Sequence, residues 1–68
     1  PSSHLNLPIE KLLKAVDVAH ILNISRAYAY QLMQRGEIPT VKIGTARRVR
    51  LTDLKAYIGE NVRPQPNP

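Results

Sequence analysis

The stretch from Val18 to Leu32, VAHILNISRAYAYQL, constrains the fold more than any other part of the chain. Ala19 is small enough to let a second helix approach closely. Asn23 follows where a tight turn needs a residue that tolerates a left-handed backbone. Ser25 can cap a new helix through its hydroxyl group. The stretch therefore predicts two short helices, joined by a tight turn, that cross at a steep angle.

This arrangement is the helix-turn-helix pattern, in which the second helix can enter the major groove of DNA. A plain helical hairpin in a small domain is the alternative, because short motifs also match by chance. Apolar residues fall where the two helices should meet. They are Val18, Leu22, Ile24, Ala29 and Leu32.

Charge is distributed unevenly along the chain, and its excess lies on the second predicted helix and the segment after it. The 68 residues have a net charge of +5, and residues 26–50 contain six basic residues against a single acidic one, Glu37. A solvated basic surface without a partner is one explanation of this excess. Its coincidence with the motif favours a polyanionic partner.

The composition argues against several other classes of protein. The absence of Cys excludes disulfides and thiolate sites. His4 and His20 lack nearby ligands and paired carboxylates, so we expect no metal, no cofactor and no enzymatic activity. No apolar run or secretory leader is visible, which predicts a cytoplasmic protein. Three Tyr without Phe or Trp are too few for the base-stacking surfaces typical of RNA binding.

Caps and periodicity predict the limits of the two helices. We expect the first helix at about Ala15 to Leu22, although Lys14 occupies the position of the usual Ser or Thr cap. The second helix should run from Arg26 to about Arg35 and end at Gly36. Its buried side should be formed by Ala29, Leu32 and Met33.

The opposite side of the second helix suits a major groove. Amide and guanidinium groups can bond base edges, a Tyr hydroxyl can reach a phosphate group, and Ala27 can contact a thymine methyl group. Tyr30 is the stronger contact candidate, whereas Tyr28 is equally well explained by packing against the core. The DNA-binding residues predicted here are Ser25, Arg26, Ala27, Tyr28, Tyr30, Gln31 and Gln34.

After Pro39, period-two patterning predicts a β-hairpin with strands at residues 41–43 and 48–51. Its apolar face should pack on the helices and its basic face should point outward. Thr45-Ala46 is a poor dipeptide for a two-residue turn, so we expect a longer loop from Gly44 to Arg47, with Arg47 free at its tip. An ordinary hairpin with solubilising Arg residues is the alternative. The DNA contacts predicted here are Lys42, Thr45, Arg47, Arg48 and Arg50.

The remaining segments complete a single domain. Leu12 and Leu13 can add a short extended segment to the core. A last helix should run from Thr52 to Ile58, with Thr52 or a neighbour as its cap, and should end at Gly59. Its buried stripe should be Leu54, Tyr57 and Ile58. We therefore predict a flexible arm over residues 1–11, a domain over 12–59 and a Pro-rich disordered tail over 60–68.

Residues 12–58 resemble the small excisionase-type winged helix-turn-helix domains, which are related to the DNA-binding domain of MerR-type regulators. The most telling parts are the run SRAYAYQLMQRGEIPTVKIG and the closing VRLTDLKAYI. The resemblance implies a mainly α fold with a small β-hairpin, in which three short helices and a wing form one domain. It also implies that the second helix enters the major groove and that the wing lies over the adjacent minor groove.

The same resemblance implies an excisionase, also called a recombination directionality factor, of a bacterium, phage or other mobile element. Such a protein binds and bends double-stranded DNA at attachment sites, and steers an integrase toward excision without doing chemistry itself. An integrase and further copies of the chain on DNA are the implied partners. A short phage-type transcription regulator and a protein-interaction adaptor that kept the fold remain open. No dimerisation helix follows Ile58, and Arg47 replaces a wing residue that is often apolar.

Overall fold

The computed structural model describes residues 11–63 and shows three helices and one two-stranded antiparallel sheet. The predicted winged helix-turn-helix fold is confirmed. The predicted N-terminal arm and most of the predicted tail lie outside the described residues, and the domain limits stay a prediction. The elements are α1 (Ala15–Leu22), α2 (Arg26–Gln34), β1 (Val41–Ile43), β2 (Ala46–Arg48) and α3 (Leu51–Glu60).

The turn between α1 and α2 forms as predicted. Asn23 has φ 59° and ψ 47°, and within residues 11–63 it is the single non-glycine residue with a positive φ. The backbone N–H of Ile24 donates to the carbonyl of Ala19 at 3.0 Å, which ends α1. The Ser25 hydroxyl then accepts the N–H of Tyr28 at 3.1 Å and caps α2. Both residues predicted from the local sequence therefore hold the turn.

The weak start of α1 is compensated by a residue one turn later. Lys14 is the cap residue, and its side chain cannot accept a hydrogen bond. The carboxylate of Asp17 instead accepts the backbone N–H of Lys14 at 2.9 Å. This is the second half of a capping box, and it also places a negative charge in the first helical turn, where the helix dipole favours it.

The core joins all three helices to the base of the hairpin. Ala29, Leu32 and Met33 are buried, so the predicted buried side of α2 is confirmed. Ile38 is fully buried between α2 and β1, and its N–H donates to the carbonyl of Leu32. The complete set of buried hydrophobic residues in the described chain is Val18, Ala19, Ala29, Leu32, Met33, Ile38, Val49 and Leu54.

The wing, defined here as residues 41–48, differs from the prediction in its turn. Ile43 pairs with Ala46, so the connection is the two residues Gly44 and Thr45 and not a longer loop. Gly44 has φ 60°, which is what a type II′ turn requires at its first central position. Arg47 therefore lies within β2, opposite Lys42, and is half-buried. The expectation of a free Arg47 at a loop tip is wrong.

The shorter turn also changes which side chains share a face of the wing. Cross-strand partners lie on the same face, and Val41 is paired with Arg48. Val49 must then project to the opposite face, so the predicted common apolar face is wrong. Ile43 is 55% exposed, since it lies next to the turn and outside the core.

The predicted second strand, residues 48–51, keeps only Arg48 as a strand residue, and a bridge and a helix start replace the rest. Val49 forms an isolated antiparallel bridge with Leu13, through N–H···O bonds of 2.8 and 2.9 Å. This confirms that Leu13 adds an extended segment to the core. Leu51 is already the first residue of α3, and Arg50 is its cap residue. Arg50 is therefore not a strand residue of the wing, contrary to the prediction.

Helix α3 is longer than predicted. It runs through Gly59 to Glu60, and Asn61 ends it by donating side-chain and backbone hydrogen bonds to the carbonyl of Tyr57. Leu54 is buried and Tyr57 packs against the core, but Ile58 is 40% exposed. The predicted stop at Gly59 is wrong, because glycine is tolerated in a helix when the next residues continue its hydrogen bonding. The predicted burial of Ile58 is also wrong, since this residue lies outside the core cluster.

Candidate nucleic-acid interface

The outward side of α2 is an uncovered strip of polar and small side chains. Turning about 100° per residue, it places four residues in a sector of about 100°, opposite buried Ala29, Leu32 and Met33. A helix of this length is about 13 Å long and matches the width of a major groove. All four residues are exposed in the structure: Ala27, Tyr30, Gln31 and Gln34.

The two tyrosines of α2 are both largely solvent-facing. Tyr28 is 47% exposed and Tyr30 is 46% exposed, so neither ring is buried in the core. The backbone N–H of Tyr28 donates to the hydroxyl oxygen of Ser25. Each residue is about half covered, so packing against the core and contact with DNA both stay open for Tyr28. Ser25 itself is engaged as the helix cap.

A shallow depression lies at the amino-terminal end of α2. It has a volume of about 480 Å³ and is lined by Arg26, Ala27 and Tyr30 of α2 and by Ala15 of α1. The structure thus brings together three of the residues predicted on this helix. Ala15 was missed as a surface residue, because its place depends on how the two helices cross and no local pattern reports that crossing.

The wing brings two of its predicted cations together. Lys42 and Arg47 are direct cross-strand partners, and neither forms an ion pair within residues 11–63. Arg48 lies on the other face of the hairpin and donates to the backbone carbonyl of Arg47 at 2.9 Å. Thr45 is exposed at the turn. The wing therefore presents cations on both of its faces.

Two of the six basic residues in the charged window are engaged with carboxylates. The Arg35 guanidinium pairs with Glu37, and the hydrogen bond that it donates to that carboxylate raises the pKa of Arg35. Arg50 binds Asp53 through two hydrogen bonds of 2.7 and 3.0 Å, which hold the pKa of Asp53 below its ordinary value. Charge available for a polyanion is thus concentrated on the remaining four residues. They are Arg26, Lys42, Arg47 and Arg48.

Other kinds of site find little support in the part of the chain that the structure describes. No group of three or more His, Asp or Glu side chains in residues 11–63 is placed to hold a metal ion. The longest helix there has ten residues, and none of these helices could cross a membrane. The groove on the outer side of α1 is lined partly by exposed Val16 and Ile21 and by His20.

Comparison with known proteins agrees with this geometry. Residues 12–62 match a family model described as a helix-turn-helix domain. The match extends from the segment before α1 to the end of α3 and so includes both helices of the motif and the wing. No curated protein and no solved structure matches the chain.

Proposed function

The chain belongs to the helix-turn-helix domain family, and on that premise we propose that it is an excisionase. It binds specific sequences in double-stranded DNA, bends the DNA at attachment sites and steers an integrase toward excision. The protein does no chemistry of its own in this scheme. It acts in the cytoplasm of a bacterium, on DNA of a phage or another mobile element.

The observation that supports sequence-specific binding is the uncovered outward strip of α2. Its neutral side chains include two amides, Gln31 and Gln34, which can each pair with an adenine edge in the major groove. Arg26 at the start of the helix can pair with guanine or a phosphate group, and the Tyr30 hydroxyl can reach a phosphate group.

The wing supports the same function through charge. Lys42 and Arg47 lie side by side on adjacent strands, and Arg48 lies on the opposite face. Cations on a hairpin of this size can follow a phosphate row or enter a narrow minor groove, where the negative potential is strong. Arg50 makes a smaller contribution in this proposal, since its guanidinium already binds Asp53.

The small number of cations on α2 and the wing favours an excisionase over other DNA-binding proteins. Affinity for DNA depends strongly on the number of phosphate groups that a protein neutralises, and it falls with salt. With only four basic side chains on α2 and the wing that lack an ion pair within residues 11–63, one copy should bind weakly. We infer that several copies bind adjacent sites, or that an integrase stabilises the complex, and both arrangements suit a protein that shapes a recombination complex.

Footprinting on the DNA that flanks its own gene tests the proposal. We expect several evenly spaced protected repeats beside a recombination site with the wild-type chain. Lys42→Ala should lose this protection, whereas Lys55→Ala, the same change on α3, should keep it. A circular-permutation gel should then show bending of the protected DNA, and added integrase should increase the protection.

Other results would contradict the proposal in distinct ways. One protected operator over a promoter, without bending, would identify a transcription regulator that uses the same contacts. No protection at low salt, together with capture of a protein partner through the groove beside Val16 and Ile21, would identify an interaction adaptor. Equal protection of scrambled DNA would contradict sequence specificity itself.

A further inference from the structure

The depression at the start of α2 differs in chemistry from the rest of the outward strip. Its lining residues are Ala15, Ala27, Tyr30 and Arg26. The lining is mostly carbon, with one cation. The two glutamine amides of the strip lie outside this lining, so hydrogen bonding and apolar contact are separated along the helix.

This depression is open to a ligand that approaches α2 from outside. Ala27 is exposed and Tyr30 is about half exposed, so neither is covered by the rest of residues 11–63. It also lies at the amino-terminal end of the helix, which is the end that contacts base edges when the second helix of this motif enters a major groove. A base pair docked against this end would therefore meet the depression first.

Base edges in the major groove carry a single kind of apolar group, the methyl group at carbon 5 of a pyrimidine. We propose that the depression receives this methyl group from a thymine, and that the protein therefore selects thymine at one position of its site. The inference rests on the proposed DNA binding and adds the specificity determinant at this end of α2. A 5-methylcytosine presents the same methyl group, so the experiment must separate the two sources.

Arg26 can orient the DNA so that the methyl group faces the depression. Its guanidinium belongs to the lining of the depression and has no ion pair within residues 11–63. It can donate to the O6 and N7 acceptors of a neighbouring guanine, or to a phosphate oxygen beside the pyrimidine. A cation next to a small apolar depression thus complements a thymine methyl group with an acceptor nearby, and it would be a poor neighbour for a purely apolar partner.

The test begins with selection of binding sites from a library of randomised, unmodified duplexes with the wild-type chain. Each thymine of the selected site is then replaced singly by deoxyuridine, which removes the methyl group and keeps the base pair. Fluorescence anisotropy at one fixed salt concentration measures the dissociation constant of each duplex. We expect one position at which binding weakens about fourfold, which corresponds to one buried methyl group at about 0.8 kcal/mol.

Two variants identify where that methyl group binds. Ala27→Ser introduces a hydroxyl group into the depression and should abolish the difference between thymine and uracil at that position. Ala56→Ser makes the same change at an exposed position of α3 and should preserve the difference. Circular dichroism melting confirms that both variants fold. A double-mutant cycle between the DNA methyl group and Ala27 then measures their coupling directly.

The outcomes separate this inference from the proposed function. If no sequence is enriched, sequence-specific binding fails and the inference fails with it. If a site is enriched but tolerates uracil everywhere, or if Ala27→Ser retains the sensitivity, DNA binding stands and the thymine depression is wrong. Tighter binding only when cytosine is replaced by 5-methylcytosine would overturn thymine as the occupant and assign the depression to methylated DNA.

Discussion

Helix α2 and the wing differ in the kind of side chain that they expose. The outward strip of α2 is neutral between Arg26 and its last residue, whereas three of the six strand residues of the wing are basic. Neutral donors, acceptors and methyl groups can distinguish one base pair from another, while cations bind phosphate groups in any sequence. Under the proposed function, we expect specificity and general attraction to DNA to reside in separate elements, so substitutions should affect them separately.

Ile38→Ala should have the largest effect, because it removes a core side chain from the segment that links α2 to the wing. Ile38 is fully buried between α2 and β1, and truncation of such a residue typically costs about 2–5 kcal/mol of unfolding free energy. Both specificity and attraction should then fall together. Urea denaturation followed by circular dichroism measures the change.

Ile43→Ala is the matched control, since it makes the same truncation at a residue that is 55% exposed. We expect it to change the unfolding free energy by no more than about 0.5 kcal/mol. Equal losses in the two variants would show that Ile38 does not hold the helices and the wing together.

Gln31→Ala should reduce discrimination and leave general attraction nearly intact. Loss of a two-bond contact with a base costs about 1–3 kcal/mol of preference for the correct base pair. Competition between the selected site and a scrambled duplex measures that preference. Binding to the scrambled duplex should stay close to the wild-type value. A uniform loss on both duplexes would instead assign Gln31 to a phosphate contact.

The double substitution Lys42→Ala and Arg47→Ala should reduce general attraction to DNA and leave discrimination between sequences nearly intact. Each lost phosphate contact reduces the slope of log affinity against log salt by about 0.9, so the pair should reduce it by nearly 2. The preference for the selected site should remain. Titrations over a range of salt concentrations measure the slope, with Lys55→Ala as the control for a simple loss of charge. A lost preference with an unchanged slope would reverse the assignment of the wing.

The smallest expected effect is a pH dependence at the junction of the wing and α3. The hydrogen bonds from Arg50 lower the pKa of Asp53 in the folded chain. Because the pKa of Asp53 is lower in the folded chain, its ionised carboxylate stabilises the fold at pH values above the pKa of an Asp in the unfolded chain, about 3.9. That contribution is lost as pH falls further through the folded value. Melting of the wild type and of Asp53→Asn should therefore converge as the solution is acidified, and a constant difference would contradict the role of this pair.

The contrast between α2 and the wing also explains what the sequence could predict. The limits of α1 and α2, the left-handed Asn23 and the Ser25 cap were correct, since each depends on interactions within a few residues. The exposed strip of α2 followed from helical periodicity alone. Local chemistry therefore predicted the motif and most of its candidate contact residues.

The wing was predicted less well because its register depends on one choice of turn. Gly44-Thr45 fits the glycine-first requirement of a type II′ turn, whereas the prediction placed Thr45-Ala46 at the centre of a longer loop. That shift misplaced Arg47 and the apolar face, as any shift of register by one residue must. Arg50 was misplaced because its pairing with Asp53 favours a helix start over a strand end. The depression beside Ala15 arises from the crossing of two helices, which no local pattern encodes.

The bridge between Leu13 and Val49 has a consequence for the order in which the chain assembles. Its two hydrogen bonds join the segment before α1 to the segment after the hairpin, so nearly the whole motif is enclosed between them. Closing so long a loop costs entropy that only contacts across the finished core can offset, and such contacts slow folding. We expect the two helices to form early and the bridge late, and the amide protons of Leu13 and Val49 to exchange with solvent only when the whole domain opens.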